Sequence, residues 1–201
     1  MLFKILLKTL LKVLFKPLSI LFLWIIFTLY KTYEHRKEWE EVCLTKILDG
    51  DTIEYKLREF PFHKFKGRLL YIDAFEKNQP VLGRISFKGL EKKLPKIDRE
   101  CPSIYIFNRG EDIYKRKLIF LKKFVHDPET INEKLIKRGE ALLYQRNKYY
   151  SLSEKRLWQN WQDIAKRTKQ GIWKLKRKKS WLMPWSYRKK MKKVKDFNSF
   201  S

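Results

Sequence analysis

The chain is poor in the residues from which most metal and cofactor sites are built. Cysteine occurs twice, at Cys43 and Cys101, in no CxxC spacing, and histidine three times, at His35, His63 and His126, far apart. A zinc site, which gathers such ligands at short spacing, has no basis here. GxGxxG, a Walker loop and GxSxG are all missing, so no nucleotide cofactor and no serine hydrolase chemistry is expected. The two cysteines either pair or stay reduced, and two thiols do not fix a redox compartment. Acid is also scarce: 22 Asp and Glu stand against 47 Lys and Arg, a formal net charge of +25 over 201 residues. Such a balance favours a polyanionic partner, whether nucleic acid or an anionic membrane face, and charge alone does not choose. Disorder is not the default, because 44% of the residues are hydrophobic and 15% aromatic.

Long charge-free runs are also rare. The one at Pro17 to Tyr30 follows a segment in which Lys4, Lys8, Lys12 and Lys16 recur every four residues among apolar side chains, a basic stripe on a helical rod. As a helix, the run covers ~21 Å against a hydrocarbon core of ~30 Å. Val13 to Phe15 lengthen it, while Lys16 and Lys31 can snorkel to the headgroups. The stretch after it, Tyr30 to Glu34, lacks the small residues of a signal-peptidase site. Residues 1–31 therefore read as a single-pass membrane anchor. The lysine bias places the following domain on the non-cytoplasmic side. A mitochondrial membrane, or secretion after cleavage, is the alternative. Residues 32–41 read as a juxtamembrane linker.

Beyond the linker, residues 42–175 read as one domain. Val42 to Leu48 and Thr52 to Leu57 alternate apolar and polar residues around Asp49-Gly50, a hairpin signal. Gly67 to Ile72, Ser103 to Phe107 and Lys117 to Leu121 read as three further strands. Leu82 to Leu94 has helical spacing before Pro95; Thr130 to Lys137 is a helix closed by Gly139; Ser151 to Thr168 is a longer helix with Gly171 beyond it. The expected fold class is α+β: a five-stranded Greek-key barrel of the OB type with three helices, plus the N-terminal hydrophobic helix.

Asp49-Gly50-Asp51-Thr52, then Arg68 to Glu76 (RLLYIDAFE), then Tyr114-Lys115-Arg116 set carboxylates and arginines at strand ends. Carboxylate oxygens hold hard cations, and guanidinium forks clamp phosphates, so the set points to phosphodiester cleavage. Each residue also has an innocent reading. Asp49 and Asp51 serve hairpin geometry, Arg68 and Arg116 are surface charges, Glu76 approaches a helix, and Tyr114 and Tyr144 are packing residues.

The ordered series DGDT at 49–52, RLLYIDAFE at 68–76, Gln79-Pro80 with Gly83, DIYKR at 112–116, INEKLIKRGEALLY at 131–144 and GIW at 171–173 resembles the staphylococcal-nuclease-like thermonucleases. The resemblance covers about residues 42–175. It implies a calcium-dependent endonuclease acting on DNA and RNA. It implies metal binding by Asp51, Asp73 and the backbone carbonyl of Ala74, and catalysis by Arg68, Glu76 and Arg116. Tyr114 and Tyr144 would contact substrate. Two departures stand out: Phe75 replaces a proline, and Lys115 and Lys117 flank Arg116 where glycine is frequent.

Residues 176–201 form a basic tail in which Trp181, Trp185 and Tyr187 interrupt the lysines. The pattern suits nucleic acid, an anionic membrane surface or a solvated extension equally. The competing reading of the whole chain is a noncatalytic OB-fold nucleic-acid-binding module tethered to a membrane.

Overall fold

The computed structural model describes residues 20–28, 39–97, 101–144, 151–176 and 182–198. The chain divides into two compact units, Met1–Glu40 and Glu41–Ser201. In the first, α1 (residues 20–28) exposes its apolar side chains, and the Thr28 hydroxyl donates back to the Trp24 carbonyl at 2.6 Å. No helix among the described residues is long and apolar enough to cross a membrane. The rest of the expected anchor, and residues 32–38 of the expected linker, lie outside the described residues.

The second unit runs through β1 (Glu40–Asp49), β2 (Thr52–Leu57), β3 (Lys64–Leu69), β4 (Ile72–Asp73), α2 (Leu82–Glu91), β5 (Ser103–Glu111) and β6 (Lys117–Lys122). It continues with α3 (Ile131–Lys137), β7 (Leu142–Leu143), α4 (Leu152–Arg167), a 3-10 turn (Gly171–Lys174) and α5 (Pro184–Asn198). Five strands close a barrel in the order β1–β2–β3–β6–β5, antiparallel except for the β3–β6 pair. This is the expected α+β class. Alternate residues build its interior: Val42 and Leu44, Ile53 and Tyr55, Leu69, Ile104 and Ile106, Ile119 and Leu121 are almost fully buried. Each such aliphatic side chain contributes about 1.5–3 kcal/mol of burial. Cys43 on β1 and Cys101 before β5 are joined in a disulfide, with Cα atoms 5.3 Å apart. It spans the closing seam, where the Leu44 N–H donates to the Pro102 carbonyl.

The parallel β3–β6 contact is short and is reinforced by one side chain of α3. Asn132, fully buried, donates to the carbonyls of Leu70 and Ile119 (3.0 Å each) and accepts the Leu121 N–H at 3.0 Å. Capping boxes start α3 at Thr130 with Glu133 and α4 at Ser151 with Glu154.

Several details differ from the sequence expectations: β1 already begins at Glu40, within the expected linker, and β5 runs on to Glu111. The third strand starts earlier, at Lys64, and stops at Leu69, because Tyr71 takes a left-handed φ of 70°. Ile72 and Asp73 then leave the barrel and pair with Leu142 and Leu143 in a separate two-stranded sheet. α2 stops at Glu91 rather than Leu94. The tail, left undecided by its composition, is helical over Pro184–Asn198, which adds a helix to the three expected; the segment before it packs against Phe75, Leu82, Leu142 and Ile172 through Met183.

Candidate active site

Asp51 sits in the turn between β1 and β2, 3% exposed, and each of its oxygens is engaged. Oδ1 accepts from the Thr52 hydroxyl (2.8 Å) and Arg68 Nη1 (3.1 Å); Oδ2 accepts from the Ala74 N–H (3.0 Å) and lies 3.1 Å from Arg68 Nη2. Arg68 Nη2 also donates to Asp73 Oδ1 at 2.9 Å. One guanidinium therefore ties together carboxylates from the β1–β2 turn and from β4. Burial works against the charge on Arg68, but Asp51 and Asp73 outweigh it and hold the proton more firmly than usual. Burial pushes the fully enclosed Asp73 carboxyl up, and the Asp51 charge adds to this, against Arg188 and Arg68.

Asp49 does more than turn a hairpin. Its Oδ1 accepts from the Gly50 N–H (2.8 Å) and from the Lys77 N–H (3.0 Å), which pins the loop carrying Glu76. Burial first, then a hydrogen bond with Glu76 and the Asp51 charge, raise the Asp49 carboxyl to about 7. Gln79 holds the same loop from the other side: its Oε1 accepts the Glu76 N–H at 3.0 Å, and its own N–H donates to the Glu76 carbonyl at 2.7 Å. That carbonyl packs so tightly on α2 that a Cβ at Gly83 would lie 2.0 Å from its oxygen. The glycine is thus required by a close approach of two backbones.

Phe75, the departure from proline, is accommodated by two contacts. Its N–H donates to the Ser86 hydroxyl at 3.2 Å, a bond proline cannot make, and its ring is buried against Leu82, Leu142 and Ile172. Packing replaces ring stiffness as the restraint on the acidic loop.

Arg116 stands immediately before β6 and is held by Asp112. Asp112 Oδ2 accepts from Arg116 Nε (2.9 Å) and lies 2.7 Å from Nη2, while Oδ1 accepts the N–H groups of Tyr114 and Arg116. Against the effect of burial, these bonds from Arg116 hold the Asp112 carboxyl below its usual range. Its stabilising contribution is complete above the ordinary carboxylate value near pH 4 and is lost as pH falls through the lowered one. Asp112→Asn is expected to destabilise the domain at pH 7, with the gap to the parent closing toward pH 2; chemical unfolding across that range measures it. In the same turn Lys115 has φ 59°, the left-handed conformation that disfavours side chains. Lys115→Gly is expected to raise unfolding stability by about 1 kcal/mol, read as a higher denaturation midpoint.

A cleft of about 820 Å³ opens over this arrangement, and Asp51, Arg68, Glu76, Arg116, Tyr114 and Tyr144 all line it. The Arg68 guanidinium carbon lies 6.0 Å from the Tyr144 ring centre, and that of Arg116 lies 5.4 Å from the Tyr114 ring centre. Asp73 and Ala74 are not in the wall. Asp73 is fully buried beneath it and is reached through guanidinium groups, while Ala74 lies behind Asp51.

One further residue occupies the site and was not anticipated from the sequence. Arg188 of α5 donates through Nη2 to both oxygens of Asp73 (2.9 and 3.0 Å) and through Nη1 to Glu76 at 2.7 Å. Burial opposes its charge, yet Asp73 and Glu76 more than restore it. The available signal was slight: Arg188 is the single arginine of a helix otherwise basic through lysine, and a guanidinium suits paired carboxylates better than an ammonium does.

The donor set suits a hard cation. Among the described residues, no three His, Cys, Asp or Glu side chains gather closely enough to hold a metal ion by themselves. Asp51 and Asp73 supply carboxylate oxygens of the kind a hard cation takes, and each of those oxygens already accepts from a protein donor. A cationic group already lies against Asp73 and Glu76.

Residues 66–175 match the family model described as staphylococcal nuclease homologue. The matched span begins after the Asp49–Thr52 turn, which joins the site through its contacts with Arg68, Ala74 and Lys77. Among curated proteins, none matches the chain significantly. With more than half of its length matched and its strands closed into a five-stranded barrel, the chain belongs to the staphylococcal nuclease homologue family.

Proposed function

We propose that the protein is a calcium-dependent endonuclease that hydrolyses phosphodiester bonds of DNA, RNA or both, and that residues 1–31 tether it to a membrane. The observation that carries this reading is that Arg68 bridges Asp51 to the buried Asp73 and lines one cleft with Asp51, Glu76 and Arg116.

Asp51 and Asp73, with the Ala74 carbonyl, would hold Ca²⁺. When bound, the ion supplies charge neutralisation at a non-bridging phosphate oxygen. Glu76 orients the attacking water and takes up its proton. Oxygen–phosphorus bond formation then places extra negative charge on the equatorial oxygens, and Arg68 and Arg116 meet it with forked N–H donors. The bond to the departing sugar oxygen breaks, solvent water protonates that oxygen, and Glu76 returns its proton to solvent, so that protons balance. Tyr114 and Tyr144 offer ring faces beside these arginines for the flanking nucleotide. The Cys43–Cys101 disulfide supports placement of the domain on the non-cytoplasmic side, where disulfides persist.

The test is incubation of the purified chain with plasmid and with RNA, in calcium or in chelator. Internal cutting that stops on chelation is the expected result. Cutting indifferent to chelator would remove the metal from the mechanism. The second reading, a noncatalytic binding module, is favoured by the contact of Arg188 with Asp73 and Glu76. It predicts salt-sensitive binding and no cleavage under any divalent ion.

A further inference from the structure

We propose that Arg188 is a built-in competitor for the divalent cation, so that α5 holds the site shut until a metal ion and a polyanion displace it. This rests on the reading of Asp51 and Asp73 as the cation-holding pair. The guanidinium makes three hydrogen bonds to two carboxylates, and with Arg68 it uses three of the roughly four acceptor positions of Asp73. A cation cannot bind Asp73 on that side while Arg188 remains.

Charge balance gives the same answer. Asp51, Asp73 and Glu76, with Asp49 beside Glu76, face Arg68 and Arg188, so two guanidinium charges already offset much of the acid. A divalent ion brought to that set meets both guanidinium groups in a partly buried site, where like charges repel strongly. Removal of Arg188 restores room for it in both charge and space.

The helix is mounted where such exchange would be felt. Gln79, which binds the backbone of Glu76, also donates through Nε2 to the Leu182 carbonyl at 2.8 Å, fixing the chain just before α5. Pro184 is buried, and Met183 packs on the cluster around Phe75. Beyond Arg188 the helix presents Lys189, Lys190, Lys192 and Lys193 to solvent. A nucleic acid strand that binds those lysines pulls on the same helix whose guanidinium closes the site. Arginine keeps its charge at every physiological pH, so Arg188 stays a competing cation until it is displaced.

The test is direct calcium titration of the full-length protein by calorimetry, with Arg188→Gln, Arg188→Lys and Asp73→Asn alongside. Arg188→Gln is expected to lower the calcium dissociation constant roughly ten- to hundredfold, the scale of charge-assisted hydrogen bonds removed from a competitor. Arg188→Lys, a point charge without the fork, should fall between it and the parent. The calcium needed for half-maximal cleavage should shift in parallel. Equal affinity in the parent and Arg188→Gln, with binding abolished in Asp73→Asn, overturns the competition and leaves the metal site standing. Weaker calcium binding in Arg188→Gln also overturns it, since Arg188 would then support the site. No calcium binding by any of them removes the metal reading itself and the competition with it.

Discussion

Glu76→Gln is expected to slow phosphodiester cleavage roughly 10²- to 10⁴-fold while leaving nucleic acid binding intact. Glutamine has the same shape, and its amide oxygen can still accept from Arg188, so the loop held by Asp49 and Gln79 keeps its course. What disappears is the ability to take a proton from water at neutral pH. Initial rates at saturating calcium, paired with filter binding of the same substrate, separate the two quantities. A variant that cuts at the parent rate would strip Glu76 of its role. Arg68→Lys is expected to cost roughly 10²- to 10³-fold in the same assay, the penalty for losing transition-state donors, because an ammonium cannot span Asp51 and Asp73 and also face a phosphate. Asp51 and Asp73 are nearly buried, so Arg68→Lys is also expected to lower stability; a thermal melt keeps that apart from the rate.

The largest effect on stability is expected at Asn132. Asn132→Leu keeps the volume but removes three hydrogen bonds at once and leaves the Leu121 N–H and the Leu70 carbonyl facing an apolar side chain. At one to three kcal/mol for each orphaned group, the loss is about 4 kcal/mol, a large share of what a domain of this size has to spare. Chemical unfolding of the parent and the variant at one pH measures it. A change under 1 kcal/mol would show that water or a shifted α3 satisfies those groups, and that the parallel seam does not depend on this side chain.

Much of the barrel is legible in the sequence because its strands are half buried. Val42 and Leu44, or Ile53 and Tyr55, alternate inward by simple periodicity, and that alternation requires no knowledge of distant residues. The end of β3 is not legible in this way. Leu70, Tyr71 and Ile72 continue the apolar run, and only the contact of Tyr71 with Tyr144 and the pairing of Ile72 with Leu143 draw them out of the barrel. The site divides along the same line. Asp51, Arg68, Asp73 and Glu76 lie close in sequence: the Asp49-Gly50 hairpin signal sets Asp51 at the β1–β2 turn, and β2–β3 pairing brings Arg68 beside it. Asp49 is underrated because Asp-Gly alone accounts for a turn, and its bond to Lys77 exists only once the loop has folded back. Arg188 is missed for a stronger reason. Lysines surround it, and what selects it is the anchoring of Leu182 by Gln79, a contact between residues far apart along the chain.

Asp73 owes its place to a partner that comes late in the chain. It pairs with Leu142, and the adjoining Tyr71 carbonyl is bound by the Tyr144 N–H. A polypeptide emerging from the ribosome therefore exposes Asp51, Asp73 and Glu76 well before the segment that orders one of them. The constellation is assembled only when synthesis of the domain nears completion, and the helix bearing Arg188 follows directly behind.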